Sequence, residues 1–187
     1  EARVQPAAHR PGFESLMRIS VVLSTHAASF QAVAFKGELE ANIAKIAGWG
    51  YDGVELAVRD PRLVDAGQLA AAVGRHGLDV PAIGTGQAWG EEGLSFTSDD
   101  ESVRRAAIER IISHIPLAAH LDALVILGLI RGITPEGQTH ERSMEYLVEA
   151  IQACAAAAAG SGVRFALEPM NRYETVLVLS AEQGLDL

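Results

Sequence analysis

The chain has 187 residues, 49% of them apolar and 21% charged, with a net charge of −9 and a single cysteine, Cys154. Such a chain buries one sizeable globular core, and no apolar run reaches the roughly 18 residues of a membrane helix. The acidic balance argues against nonspecific binding to nucleic acid or an acidic membrane, while one cysteine excludes an internal disulfide and fits a reducing, cytoplasmic compartment.

Residues 1–16, "EARVQPAAHRPGFESL", show no period and no apolar core. Met17 then opens "MRISVVLST", which reads as a strand from its start. Residues 1–16 are therefore expected to be a disordered or non-native leader, and residues 17–187 the domain.

From Arg18 the pattern alternates. "RISVVLS" reads as the first strand, and "GELEANIAKIAGWG" as a helix with Leu39, Ile43 and Ile46 on one face and Gly50 as its stop. "GVELAV" is the second strand, and "DAGQLAAAVGRHG" is a helix with Leu69 and Val73 inward and Gly77 as its stop. "LDVPAIGTG" is the third strand. Ser98 and Asp99 offer N-caps to "DDESVRRAAIERIISHIPLAAHL", which Pro116 is expected to kink or interrupt. "DALVILGLI" is the fourth strand. "THERSMEYLVEAIQACAAAAAG" is a helix with Met144, Leu147, Ile151 and Cys154 at helical spacing, its alanine run suited to close packing. "GVRFALEP" is the fifth strand, and "SAEQGLDL" reads as helical.

The strands are almost continuously apolar, as in a parallel sheet covered on both faces, and lie roughly 25 to 45 residues apart, the length of a strand-plus-helix unit. "LSTHAAS" after the first strand lacks a glycine-rich dinucleotide fingerprint. That weakens a Rossmann reading; a (β/α)8 TIM barrel remains, and it takes eight units in about 250 residues. Five are present, so the chain is expected to be the N-terminal part of a larger barrel enzyme, with open edges on its first and fifth strands.

In such barrels chemistry sits at the C-terminal ends of the strands. That rule selects Ser24, Thr25 and His26; Glu55, Arg59 and Asp60; Thr85, Gln87 and Trp89; Arg131; and Glu168, Asn171, Arg172 and Glu174. Glu168 stands out, because a carboxylate closing a buried strand costs several kcal/mol without a partner. Either a metal or acid/base role, or a salt bridge to Arg131, would offset that cost. Glu55 is alternatively a structural polar group inside the barrel, and His26 a surface residue. Gln87 and Trp89 either line a pocket, with the indole as a wall for a sugar face, or pack within their loop. Arg131 either grips a carboxylate or phosphate or pairs with Glu136 or Glu168. His9, His76, His114, His120 and His140 have no metal-site spacing and read as solvated, and Cys154 reads as a small core residue.

Three stretches, "GWGYDGVELAVRDP" (Gly48 to Pro61), "PAIGTGQAW" (Pro81 to Trp89) and "LEPMNRYET" (Leu167 to Thr175), resemble the sugar phosphate isomerase/epimerase branch of the xylose isomerase-like barrel superfamily. The last is the most specific of the three.

The resemblance implies a divalent metal, Mn, Mg or Co, held by a Glu after strand five, an Asp after strand six, a His after strand seven and a Glu after strand eight. Glu168 matches the first ligand, which in ketose 3-epimerases also exchanges the substrate proton. Glu174, six residues on, matches a glutamate that contacts sugar hydroxyls. Asn171 and Arg172 match the pattern without an assigned contact. The implied reaction is isomerisation or epimerisation of a small sugar, sugar phosphate or hydroxy-keto compound. A carboxylate takes the proton alpha to the carbonyl, and the metal stabilises the enediolate. Hydroxypyruvate isomerase and inosose dehydratase types stay open, and so does a homo-oligomer of the whole protein. With one ligand of four, the chain alone is expected to be inactive. The alternatives are an endonuclease IV-like DNA repair enzyme, disfavoured by the net charge and by "TGQAW" where a His ligand is expected, and a non-catalytic sugar-binding relative.

Overall fold

A computed structural model describes residues 17–28 and 33–187, so the expected leader, residues 1–16, lies outside the described residues. Five short apolar runs form one parallel sheet: β1 (Ser20–Ser24), β2 (Gly53–Ala57), β3 (Ala82–Gly84), β4 (Leu124–Leu127) and β5 (Phe165–Leu167). Their spatial order is their chain order, and every pairing is parallel. That sequential order is the one a β/α barrel requires. The outer edge of β1 is bridged at one point, where the Ser24 amide donates to the Phe35 carbonyl at 2.8 Å.

The register decides what faces where. Leu23, Leu56, Ile83, Val125 and Phe165 stand side by side across all five strands. The first four are fully buried in a cluster that also holds Ile43, Ile46, Leu69 and Val73 from the helices. Burying side chains of this size contributes about 1.5–3 kcal/mol each before entropy is charged against it. Because side chains alternate along a strand, the neighbouring row points the other way. That row is Ser24, Ala57, Gly84, Ile126 and Ala166, and Glu55 shares its face two residues before Ala57.

The helices are α1 (Leu39–Gly48), α2 (Ala66–Arg75), α3 (Gly86–Glu92), α4 (Glu101–Leu121), α5 (His140–Ala158) and α6 (Ala181–Leu185). Asp65 caps α2 through the Gln68 amide at 2.9 Å, and the Gln68 side chain reaches back to it at 3.0 Å. Thr139 caps α5 through the Arg142 amide.

Several expectations are corrected. The cap of α4 is Asp100, which accepts from the Ser102 amide at 2.7 Å, while Ser98 only braces the Asp100 amide. Pro116 does not interrupt α4, which runs unbroken for 21 residues. Its ring is exposed on the solvent side of the helix. "GQAWGEE" forms α3 rather than a loop, closed by Gly93 in the left-handed conformation. "LIR" after β4 is a 3-10 turn, not strand. Most of the alanine run on α5 is exposed; only Ala158 of it is buried. His114 is fully buried, not solvated. Cys154 is in the core as expected, and burial pushes its thiol up to about 12.

Candidate functional site

The C-terminal ends of β4 and β5 converge on Glu168. This residue follows β5 immediately, and its amide donates to the Leu127 carbonyl, extending the β4–β5 ladder by one step. By alternation its side chain shares the face of Ala166, away from the helices. Opposite it, β4 is followed at once by Gly128, where an added Cβ would lie 2.6 Å from Glu168 Oε2. A side chain at this position would make that carboxylate move, so the glycine leaves it room where it stands. Gly84 plays the same part for Glu55, whose Oε1 stands 3.3 Å from where a Cβ on Gly84 would be.

Glu55 and Glu168 therefore share the inner face of the sheet, with two glycines between them. Neither carboxylate makes a hydrogen bond or ion pair among the described residues. Burial raises the pKa of Glu55, and the nearby charge of Glu168 raises it further. Glu168 itself is exposed, so the desolvation cost expected for a carboxylate closing a buried strand is not incurred in this chain.

The segment after Glu168 is held from below. Thr175, Leu177 and Val178 are buried. Thr175 Oγ1 donates to the Gly132 carbonyl at 3.1 Å and accepts from the Leu177 amide at 3.1 Å, and the Met170 amide donates to the Val178 carbonyl. Between these anchors Asn171, Arg172, Tyr173 and Glu174 are exposed. Asn171 Nδ2 donates to Glu174 Oε2 at 2.7 Å. The Arg172 guanidinium lies over the Tyr173 ring, 5.4 Å from its centre.

Arg131 lies in the 3-10 turn after β4. It is fully buried, and among the described residues Nε, Nη1 and Nη2 have no hydrogen-bond partner. Neither expected salt bridge, to Glu136 or to Glu168, forms. The charges of Glu168 and Glu174 act on it from a distance, against the effect of burial, which lowers its pKa.

The remaining candidates are engaged elsewhere. Gln87, on α3 and 2% exposed, donates to Ser24 Oγ at 2.8 Å, and that oxygen also accepts from the His26 amide. Gln87 thus ties α3 to the end of β1. Thr85 donates to the Ile126 carbonyl at 2.7 Å. Trp89 is half-buried on α3. His26 bonds Thr25 at 2.8 Å and lines a cleft of about 390 Å³ with residues of α1 and α2, including Glu40, Gln68 and Arg75.

Arg59 and Asp60 belong to an ion network that hydrophobic periodicity does not reveal. Arg110 on α4 is bidentate to Glu92 at 3.0 and 2.8 Å, and donates to the Arg59 carbonyl at 2.7 Å. Asp60 is gripped by Arg62 and lies 3.5 Å from Arg110, and these cations hold its pKa down at about 2, the Arg62 hydrogen bond foremost. Arg59 pairs with Glu91 and Glu92. One signal was present in the sequence: His114 falls on the same helical stripe as Ala107, Ile111 and Ala118, all buried.

Comparison with known proteins agrees with this fold. The Xylose isomerase-like TIM barrel family matches residues 43–187. The L-ribulose 3-epimerase of Mesorhizobium japonicum is 30% identical over 166 residues, which cover 87% of this chain and 54% of that protein. The solved structure of an L-ribulose 3-epimerase superposes with a TM-score of 0.67 at 29% identity, over 89% of this chain and 55% of that one. A D-psicose 3-epimerase with D-tagatose from Clostridium cellulolyticum H10 gives a TM-score of 0.71 at 22% identity, over 91% of this chain and 58% of that one, a likeness of fold. The chain spans about half the length of the curated relatives it matches. With most of its length matched and its strands in barrel order, the chain belongs to the xylose isomerase-like TIM barrel family.

Proposed function

We propose that the protein is an enzyme of the isomerase/epimerase class that acts on a small ketose by moving the proton alpha to its carbonyl. The observation that carries this reading is Glu168: an unpaired carboxylate at the C-terminal end of β5, on the inner face, with Gly128 leaving it space. A carboxylate in that place takes a proton from the near face of a carbon held against it, and a second acid on the opposite face would return one to complete the epimerisation. Glu174, on the loop that follows, accepts hydrogen bonds from sugar hydroxyls. The 30% identity to an L-ribulose 3-epimerase supports the substrate class.

The resemblance brings a divalent metal with it. Among the described residues no group of three His, Cys, Asp or Glu side chains is placed to hold one. Glu168 is a single donor, so these residues do not by themselves fit a metal ion. Accordingly, titrating the 187-residue chain with Mn²⁺ should give no micromolar binding, and a micromolar isotherm would contradict this reading.

The activity is tested by incubating the protein expressed from its complete gene with L-ribulose, D-psicose and D-fructose in D₂O. Proton NMR should show the hydrogen beside the carbonyl exchanging for deuterium as the epimer forms. No exchange with any of a panel of ketoses and ketose phosphates would remove the proposal.

A further inference from the structure

The loop after β5 joins two functional groups that its sequence alone does not connect. Asn171 uses both ends of its amide. Its Oδ1 accepts from the Tyr173 amide at 2.9 Å, closing a turn two residues ahead. Its Nδ2 donates to Glu174 Oε2 at 2.7 Å. The two contacts fix the amide orientation, since the flipped form would set oxygen against carboxylate and NH₂ against N–H. The backbone adds to this, with the Glu174 amide donating to the Asn171 carbonyl at 3.1 Å. One residue on, Thr175 is buried and bonded to Gly132. The Glu174 side chain is therefore held at one oxygen, and its Oε1 makes no hydrogen bond among the described residues.

We propose that Asn171 is a positioning residue: it does not contact the substrate but holds Glu174 Oε2, so that Oε1 is presented to a substrate hydroxyl in a fixed direction. This rests on the ketose reading of the site. An unheld glutamate on an exposed loop samples several rotamers, and fixing it removes an entropy cost that binding would otherwise carry. The bond to a carboxylate is charge-assisted and is the stronger of Asn171's two contacts.

The test separates the turn from the clamp. Asn171→Asp keeps an oxygen for the Tyr173 amide but replaces the donor facing Glu174 with a second negative charge. Asn171→Ala removes both. In the protein from the complete gene, N171D should keep the wild-type melting temperature, while both variants lower kcat/KM for ketose exchange about tenfold. In an E174A background N171D should have no further effect. Wild-type kcat/KM in N171D would overturn the proposal by leaving Asn171 with the turn alone. A further loss in the E174A background would overturn it by making Asn171 a substrate contact. A second measurement does not depend on activity. In the 187-residue chain, the Asn171 side-chain amide resonances should shift in E174A, and their insensitivity would overturn the clamp even if no ketose proves to be a substrate. Conversely, a shift without any ketose exchange would leave the clamp standing and the ketose reading refuted.

Discussion

Two groups of charged side chains lie near the C-terminal ends of the strands, and they differ in one respect. Between the loop after β2, α3 and α4 the charges have partners: Arg110 with Glu92 and Asp60, Asp60 with Arg62, and Arg59 with Glu91 and Glu92. On the inner face and after β4 the partners are missing: among the described residues Glu55 on β2 and Glu168 after β5 make no ion pair, and the buried Arg131 guanidinium makes no hydrogen bond. A closed network offsets its own desolvation and ties loops together. An open group keeps donors and acceptors in reserve, which stability alone gives no reason to do. The first is the expected signature of scaffold and the second of a site.

The sharpest way to break this contrast is to neutralise one carboxylate on each side. Glu168→Gln in the protein from the complete gene should lower ketose proton exchange by about a thousandfold while leaving the melting temperature unchanged. Glu92→Gln should do the reverse, costing stability through Arg110 with little effect on exchange. Matching losses of activity in the two variants would collapse the distinction.

The two buried arginines permit the same substitution with different expected outcomes. Arg110→Met leaves Asp60 and Glu92 without their shared cation and should destabilise the chain by about 3 kcal/mol. Arg131→Met removes a buried cation that has no hydrogen bonds to lose, so its thermal midpoint should stay level or rise. Denaturant titration of the two variants reads this directly. If Arg131→Met unfolds as readily as Arg110→Met, Arg131 belongs to the scaffold.

How much of this was legible in the sequence follows from what each residue faces. The strands announced themselves because Val54, Leu56 and Val125 sit in apolar runs, and Glu168 because a carboxylate ends one. Gly50 and Gly77 were legible as stops because both carry positive φ. Helix α3 was not legible: Gly86 and Gly90 lower its intrinsic propensity, and packing against the Leu129–Arg131 turn holds it instead. His114 was misread and Arg110 passed over because hydrophobic patterning assigns polar residues to solvent, whereas α4 turns both inward to partners on the segment after β2 and on α3. Nor does spacing reveal that Gln87 is engaged by Ser24, a partner 63 residues away.

A smaller effect should come from His114. Its Nδ1 lies 2.8 Å from the Arg110 carbonyl and its Nε2 3.1 Å from the Val58 carbonyl. Carbonyls only accept, so only the imidazolium satisfies both, and the neutral ring satisfies one. Burial, the largest influence, nevertheless holds its pKa below 6.5, assisted by Arg110 and opposed by the two carbonyls and Asp60. The sign follows: the unfolded chain takes up a proton near pH 6.5 that the folded chain resists. The stability His114 contributes is present above that pH and is lost as pH falls through it toward the lower folded value. His114→Gln keeps a donor and does not titrate, so its melting temperature should fall less steeply than wild type between about pH 7 and pH 5. Equal slopes would show that the ring charges freely in the fold.

Cys154 gives the smallest signal and couples the two regions. It is fully buried in the cluster that holds Leu127, Ile130 and Leu147, and its thiol is raised to about 12, so the native state should not react with a thiol reagent. Labelling then reports only the opening of α5 away from β4 and β5. Because α4 packs on both α2 and α5, breaking the ion network with Arg110→Met should speed Cys154 labelling by the same factor that it raises the unfolded population. That result would make the closed network and the floor of the open site one cooperative unit. Labelling at the wild-type rate, in a variant already weakened around α3 and α4, would show instead that the site's floor holds by itself.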